Sequence, residues 1–223
     1  MLKKLTEEKL SEILEAGIAE FAEQGAERAC MSRIAKSAGI SVGVLYKYYA
    51  DKDAFFDACL SRSLDVLRST LGEIAAEDGR IMSGAEAAIR AVQNFSAEHV
   101  NYTRMYLRIT AESGGEYAAK LAGAIEGLSS EVYARRIAEA QSAGDVRADM
   151  DPRLFAFFFD SLLMMMQFSY CCDYYRERFR VYCGEAAEND ALVASQLLKF
   201  LESAFTTEKK DIPHRPKNTK GEG

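Results

Sequence analysis

Leu10, Ile13, Leu14, Gly17, Ile18 and Phe21 recur at the three- and four-residue spacing that gathers them on one face of a helix. Thr6 can cap that helix, and Glu7 and Glu8 lie in its first turn, where the helix dipole favours acids. Gly25 is expected to end it. Met31, Ile34, Ala35 and Ala38 then mark the inner face of a short second helix, which Gly39-Ile40-Ser41 breaks. A third short helix is predicted from Val42 to Tyr49, and Asp51 is a good N-cap for a longer fourth reaching Gly72.

Beyond this the pattern is one of long helices with clear punctuation. Asp78-Gly79 reads as a turn, and Ser83 with Glu86 as a capping box for a helix ending near His99. Further helices are predicted over 101–112 and 116–142, separated by Ser113-Gly114-Gly115. Residues 144–150 form a loop, and Asp151-Pro152 opens the next helix with a cap and a first-turn proline. That helix is expected to reach Tyr175, and a last one to cover 189–205. The polar stretch from Thr206 reads as disordered. No repeat and no strand run is evident, and the first 150 residues hold no proline to interrupt a helix. The fold class expected is all-α: an N-terminal three-helix helix-turn-helix unit over 1–52, a helical bundle over 53–205 and a tail over 206–223.

Charge alters this picture locally. The net charge of −6 argues against a general nucleic-acid coat. From Arg28 to Lys52, however, the bases Arg28, Arg33, Lys36, Lys47 and Lys52 face a single acid, Asp51. A basic patch on an acidic protein suits docking at one face, since the remainder repels DNA. Five cysteines without framework spacing, and an opening Met-Leu-Lys-Lys-Leu-Thr-Glu-Glu that turns acidic where a secretory signal would turn apolar, point to a reducing cytoplasm. The apolar run 154–170 is interrupted by Asp160 and short for a bilayer span, so no membrane partner is expected.

The candidate chemistry lies in residues 34–53. Two short helices crossing steeply need a small residue at their contact, met by Ala35, and a residue at ease with positive φ in the turn, met by Gly39. Leu45 is placed to anchor the second helix on the first, and Ser41 can cap it, presenting its N-terminal end to DNA. Lys47 and Lys52 can neutralise phosphates, Tyr48 can offer a hydroxyl to another, and the fourth helix offers backbone N–H groups. Base readout would fall to Val42, Gly43, Val44 and Lys47, with the valines against a thymine methyl and the lysine on a guanine edge.

Residues 10–55 resemble the N-terminal domain of TetR/AcrR-type regulators through Phe21, Gly25, Ile34-Ala35, Ala38-Gly39-Ile40-Ser41, Gly43, Leu45-Tyr46, Tyr48-Tyr49 and Lys52. The resemblance implies that Tyr48 and Lys52 contact phosphate and that 42–47 lie on a recognition helix. Val44 stands where the family often has Thr, Tyr49 where it usually has Phe, and Cys30 near where it prefers a capping Ser or Thr. Packing alone would explain Ala35, Gly39 and Leu45, but not Lys47, Tyr48 and Lys52 clustered on one side of an acidic chain.

The run 154–170 is apolar nearly all round and needs cover on more than one side. The resemblance implies that it and the last helix meet their copies in a homodimer, which would set two recognition helices against a palindromic operator. It further implies a ligand-responsive repressor released by a small, mostly apolar effector. Candidate effector contacts are Asn94, Phe95, His99, Tyr102, Met105, Tyr106, Phe157, Met164 and Tyr170, residue types that also serve as plain core. Arg104, Arg108 and Glu112 recur every four residues, as an anion clamp or as a solvated ion-paired stripe. Cys171, Cys172 and Cys183 are ordinary thiols or a sensor. With two histidines, no phosphate-binding glycine loop, no paired-cysteine zinc motif and no serine elbow, neither catalysis nor a metal or cofactor is expected. The alternatives are a helix-turn-helix protein that regulates by binding another protein, and a helical enzyme.

Overall fold

In the computed structural model the described residues are 5–76, 80–112 and 115–206. The turn expected at Asp78-Gly79, the first two residues of the Ser113-Gly114-Gly115 break and all of the tail but Thr206 lie outside them. Among the described residues ten α-helices follow one another: α1 (Glu7–Arg28), α2 (Met31–Ser37), α3 (Val42–Tyr48), α4 (Lys52–Ala76), α5 (Ile81–Glu98), α6 (Val100–Glu112), α7 (Gly115–Ala143), α8 (Pro152–Cys171), α9 (Asp173–Cys183) and α10 (Asp190–Phe205). A 3-10 turn, Gly184–Glu188, joins the last two. No strand occurs among the described residues.

The helix ends follow local chemistry. Thr6 accepts from the Lys9 N–H, Ser41 from Val44, Asp51 from Ala54, Asp151 from Arg153 and Asn189 from Leu192. Gly25 breaks α1 with φ 76°, and one further turn runs on to Arg28. The α2–α3 turn closes when Ile40 donates to Ala35 and Gly39 to Lys36, with Gly39 at φ 65°, a left-handed helix stop that an L side chain resists. Two expectations fail. Ser83 and Glu86 form no capping box, because α5 already begins at Ile81; Glu86 instead pairs with Arg90. The long helix expected through Tyr175 breaks at Cys172, whose backbone is extended. There Arg104 donates to the Cys171 carbonyl and Arg176 to that of Tyr170, satisfying the open end of α8.

One core joins α1, α2 and α3 through Ile13, Ile18, Phe21, Ile34 and Leu45, all fully buried. It takes in Phe55, Phe56 and Cys59 from α4 and Tyr102, Met105 and Ile109 from α6, so the N-terminal unit is seated on the helices that follow it. The second core gathers α4, α5, α7, α8 and α10 around Ile89, Tyr133, Ile137, Phe159, Leu163 and Phe205. By length and composition α8 could cross a bilayer. Its Phe155, Phe159, Leu163, Met166 and Phe168 are buried, however, in packing against α5, α6 and α7, as in a core helix.

Candidate nucleic-acid interface and effector cavity

Helix α3 buries one residue. Leu45 is fully buried, Val44 half-buried, and Ser41, Val42, Gly43, Tyr46, Lys47 and Tyr48 face solvent. With one residue buried, this seven-residue helix leaves most of its surface available. Of the flanking bases, Arg33 is forked onto Glu20 (Nε–Oε1 2.8 Å) and also donates to the Arg28 carbonyl, so its charge is used inside the domain. Lys36 and Lys47 stay exposed. The half-buried Lys52 rests its ammonium on the Glu27 carbonyl at 2.7 Å, and the Tyr48 hydroxyl accepts from the Leu5 N–H at 2.7 Å. Both contacts leave donors over: two ammonium N–H groups and the phenol O–H. Tyr46, beside Lys47, is a further exposed side chain of α3 that sequence reasoning does not single out for readout; it lies about 100° round the helix from the buried Leu45.

Cys30 precedes α2 without a side-chain cap; its thiol meets Ser32 at 3.0 Å, and Glu20 takes the Cys30 N–H instead. Tyr49 packs edge-on against Phe55 at 4.8 Å between centroids, half-buried.

A cavity of about 160 Å³ opens between α4, α5, α6, α7 and α8. Its walls include Leu60, Leu64, Leu67, Leu71 and Ile74 of α4, with Val92, Ile109, Ile125 and Leu163. Of the residues predicted to contact an effector, Phe95, Tyr102, Met105, Tyr106 and Met164 line it. The other four do not. Asn94 is exposed on the outer face of α5, one residue from the inward Phe95. Phe157 is 65% exposed on the outward side of α8. His99 ends α5, tilted against Phe95 and Tyr102 at ring separations of 5.0 and 5.1 Å. Tyr170 accepts from Gln93 at 3.0 Å, away from the cavity.

The polar part of the wall had no sequence signal as a unit. Tyr106 donates to Glu126 at 2.6 Å, Ser129 and Asp160 stand beside them, and Gln167 donates to Thr103 at 2.9 Å. Burial, and the Glu126 charge after it, push Asp160 up to about 6; the Ser129 hydroxyl opposes this. Burial pushes the Tyr106 and Tyr133 phenols up as well. From the same cavity Tyr102, pushed up to about 12 chiefly by burial, donates to Glu15 of α1 at 2.6 Å. Glu15 in turn faces Arg62 of α4 at 3.5 Å. A lining residue is thus bonded directly to the first helix of the helix-turn-helix unit.

Neither Arg104 nor Arg108 forms an anion clamp: Arg104 caps α8, and Arg108 donates to the Glu23 carbonyl. Cys59 and Cys171 are buried, Cys30 and Cys172 half-buried and Cys183 exposed, all as free thiols. Among the described residues no cluster of three or more His, Cys, Asp or Glu is placed to hold a metal.

Residues 13–59 match the family model described as bacterial regulatory proteins of the tetR family. Over 106 residues the chain is 29% identical to a nucleoid occlusion factor, SlmA, of Haemophilus ducreyi (strain 35000HP / ATCC 700724). The match takes in 47% of this chain and 52% of that protein, so the chain spans about half the length of this curated relative. In three dimensions it is similar to the transcriptional regulator FadR from Bacillus subtilis in complex with stearoyl-CoA, with a TM-score of 0.68 at 17% identity, covering 88% of this chain and 100% of that one. It is also similar to AibR in complex with isovaleryl coenzyme A and operator DNA, with a TM-score of 0.66 at 16% identity, covering 86% and 97%. At these identities the structural likeness speaks for the fold.

Proposed function

We propose that this chain, a tetR-family regulatory protein through its residues 13–59, is a homodimeric repressor that binds a palindromic operator and is released by a small, mostly apolar effector. The observation that carries the reading is helix α3, whose one buried residue is Leu45 and which presents Ser41, Val42, Gly43, Lys47 and Tyr48 to solvent on an otherwise acidic protein. Val42 and Lys47, with the half-buried Val44 at the edge, are the residues for base contact. Tyr48 and Lys52, each with donors to spare, are those for phosphate. Residues 1–52 would carry the DNA contacts and 53–205 the effector and the dimer.

Dimerisation is supported by apolar side chains that the monomer leaves uncovered: Leu154, Phe157 and Phe158 on α8, and Leu192 and Phe200 on α10. A two-fold pair of α3 helices about 34 Å apart would fit successive major grooves. An effector is supported by the cavity and by its two routes to the DNA unit. Helix α4 lines the cavity with Leu60 and Leu64 and carries Phe55 and Phe56 in the N-terminal core, while Tyr102 holds Glu15. A ligand that spreads the cavity would move α4 and α6 against α1 and change the spacing of the two α3 helices. FadR and AibR were solved with acyl-CoA molecules, which supports a ligand with an apolar portion here.

Mobility-shift titration with the DNA upstream of the protein's own gene, across a range of salt, tests the reading. Affinity should fall steeply with salt, and Lys47→Ala should weaken binding and flatten the log–log slope by about one unit. Absence of a complex at low salt would refute DNA binding and leave a protein-binding regulator as the reading.

A further inference from the structure

The cavity wall is mostly apolar, hydroxyls such as those of Ser63 and Thr70 on α4 apart, and the charged groups on it have a single sign. Glu126 of α7 and Asp160 of α8 both line it, whereas no lysine, arginine or histidine does. Among the described residues neither carboxylate has a cationic partner. Glu126 receives one hydrogen bond, from Tyr106 at 2.6 Å, which fixes its orientation and leaves its remaining lone pairs open. The neighbouring Gln167 amide is turned onto Thr103 and takes no part in neutralising the pair. Two half-buried acids facing one cavity, with a hydroxyl on each but no cation between them, repel each other while the cavity is empty. A bound positive charge would relieve both the repulsion and the lost solvation; a neutral or negative ligand end would relieve neither.

Resting on the effector reading above, we infer that the cavity binds an amphipathic cation, an apolar chain or ring system ending in an ammonium group, whose charge lies between Glu126 and Asp160. The leucines of α4 take the apolar portion. An ammonium group has three donors, and the acid pair has more than three open acceptor positions, so its hydrogen bonds can be satisfied within the cavity. Tyr106 acts as a positioning residue, holding Glu126 toward the ligand. The same pair disfavours a carboxylate at that end of the cavity.

Titration calorimetry of the full chain with octylamine, 1-octanol and octanoate, three probes of one chain length and three charges, tests this. Octylamine should bind at least about tenfold tighter than either of the others. In the isosteric double variant Glu126→Gln/Asp160→Asn, with helix content checked by circular dichroism, that preference should collapse toward parity. The alcohol or octanoate binding as tightly as octylamine to the native chain would overturn the cation assignment and leave the effector reading standing. A preference that survives in the double variant would overturn it equally, placing the amine elsewhere. No heat from any of the three would count against the effector cavity itself.

Discussion

Gly17 shows how one side chain can be excluded by its neighbours. A Cβ there would stand 2.4 Å from the ring of Phe55 and 2.7 Å from the Cys59 sulfur, where α1 and α4 touch. Both neighbours are fully buried and cannot withdraw. Gly17→Ala should therefore lower stability by about 1–3 kcal/mol, read from the urea midpoint. Gly123→Ala on the exposed side of α7, where a Cβ meets nothing within 4 Å, should raise it by about 0.5–1 kcal/mol. Equal effects at the two sites would contradict the close α1–α4 approach. Asp160 has its own signature at this scale. Because its folded value is raised to about 6, the folded chain keeps a proton that the unfolded chain releases between the ordinary aspartate range and that value. Its contribution to stability is present at acid pH and lost as pH rises through about 6. Asp160→Asn should remove that dependence, so the stability difference between variant and native chain should widen from about pH 4.5 to about pH 7; a constant difference would refute the raised value.

Between elements, the telling contact is Tyr102 to Glu15, since it ties α6 and the cavity to α1. In Tyr102→Phe the ring stays in its packing and only the hydroxyl goes. The variant should bind operator DNA nearly as the native chain does but respond less to a ligand in the cavity. Operator affinity measured with and without octylamine checks it, and an unchanged ligand effect would remove this contact from the coupling. The break between α8 and α9 belongs to the same scale. The sequence from Asp151 to Tyr175 has no glycine or proline after Pro152 to stop a helix, yet guanidinium groups from Arg104 and Arg176 take the last carbonyls of α8. One of those arginines lies 67 positions away in the chain, so no local pattern could announce it.

For the whole molecule the issue is what covers α8 and α10. Phe157 is 65% exposed and belongs to neither core. Phe157→Glu should leave the monomer fold intact, shift sedimentation from dimer to monomer and weaken operator binding by removing the second recognition helix. A native chain that sediments as a monomer at all concentrations tested would refute the dimer.

The elements themselves were legible because their causes are short-ranged. Helical spacing in 10–21, the caps at Thr6, Ser41, Asp51 and Asp151, and the glycine stop at 39 all act within about five residues, and they delivered α1 to α4, the start of α8 and the matched N-terminal segment. Membership of the cavity was not legible in the same way. Phe95 enters and the adjacent Asn94 does not, while Glu126 meets Tyr106 across 20 residues and joins Asp160 from a third helix. Sequence periodicity says that a helix has an inner face; only the convergence of five helices decides which inner residues border empty space and which are packed solid. For that reason the acid pair, the one feature that gives the cavity a charge, emerged from tertiary structure alone.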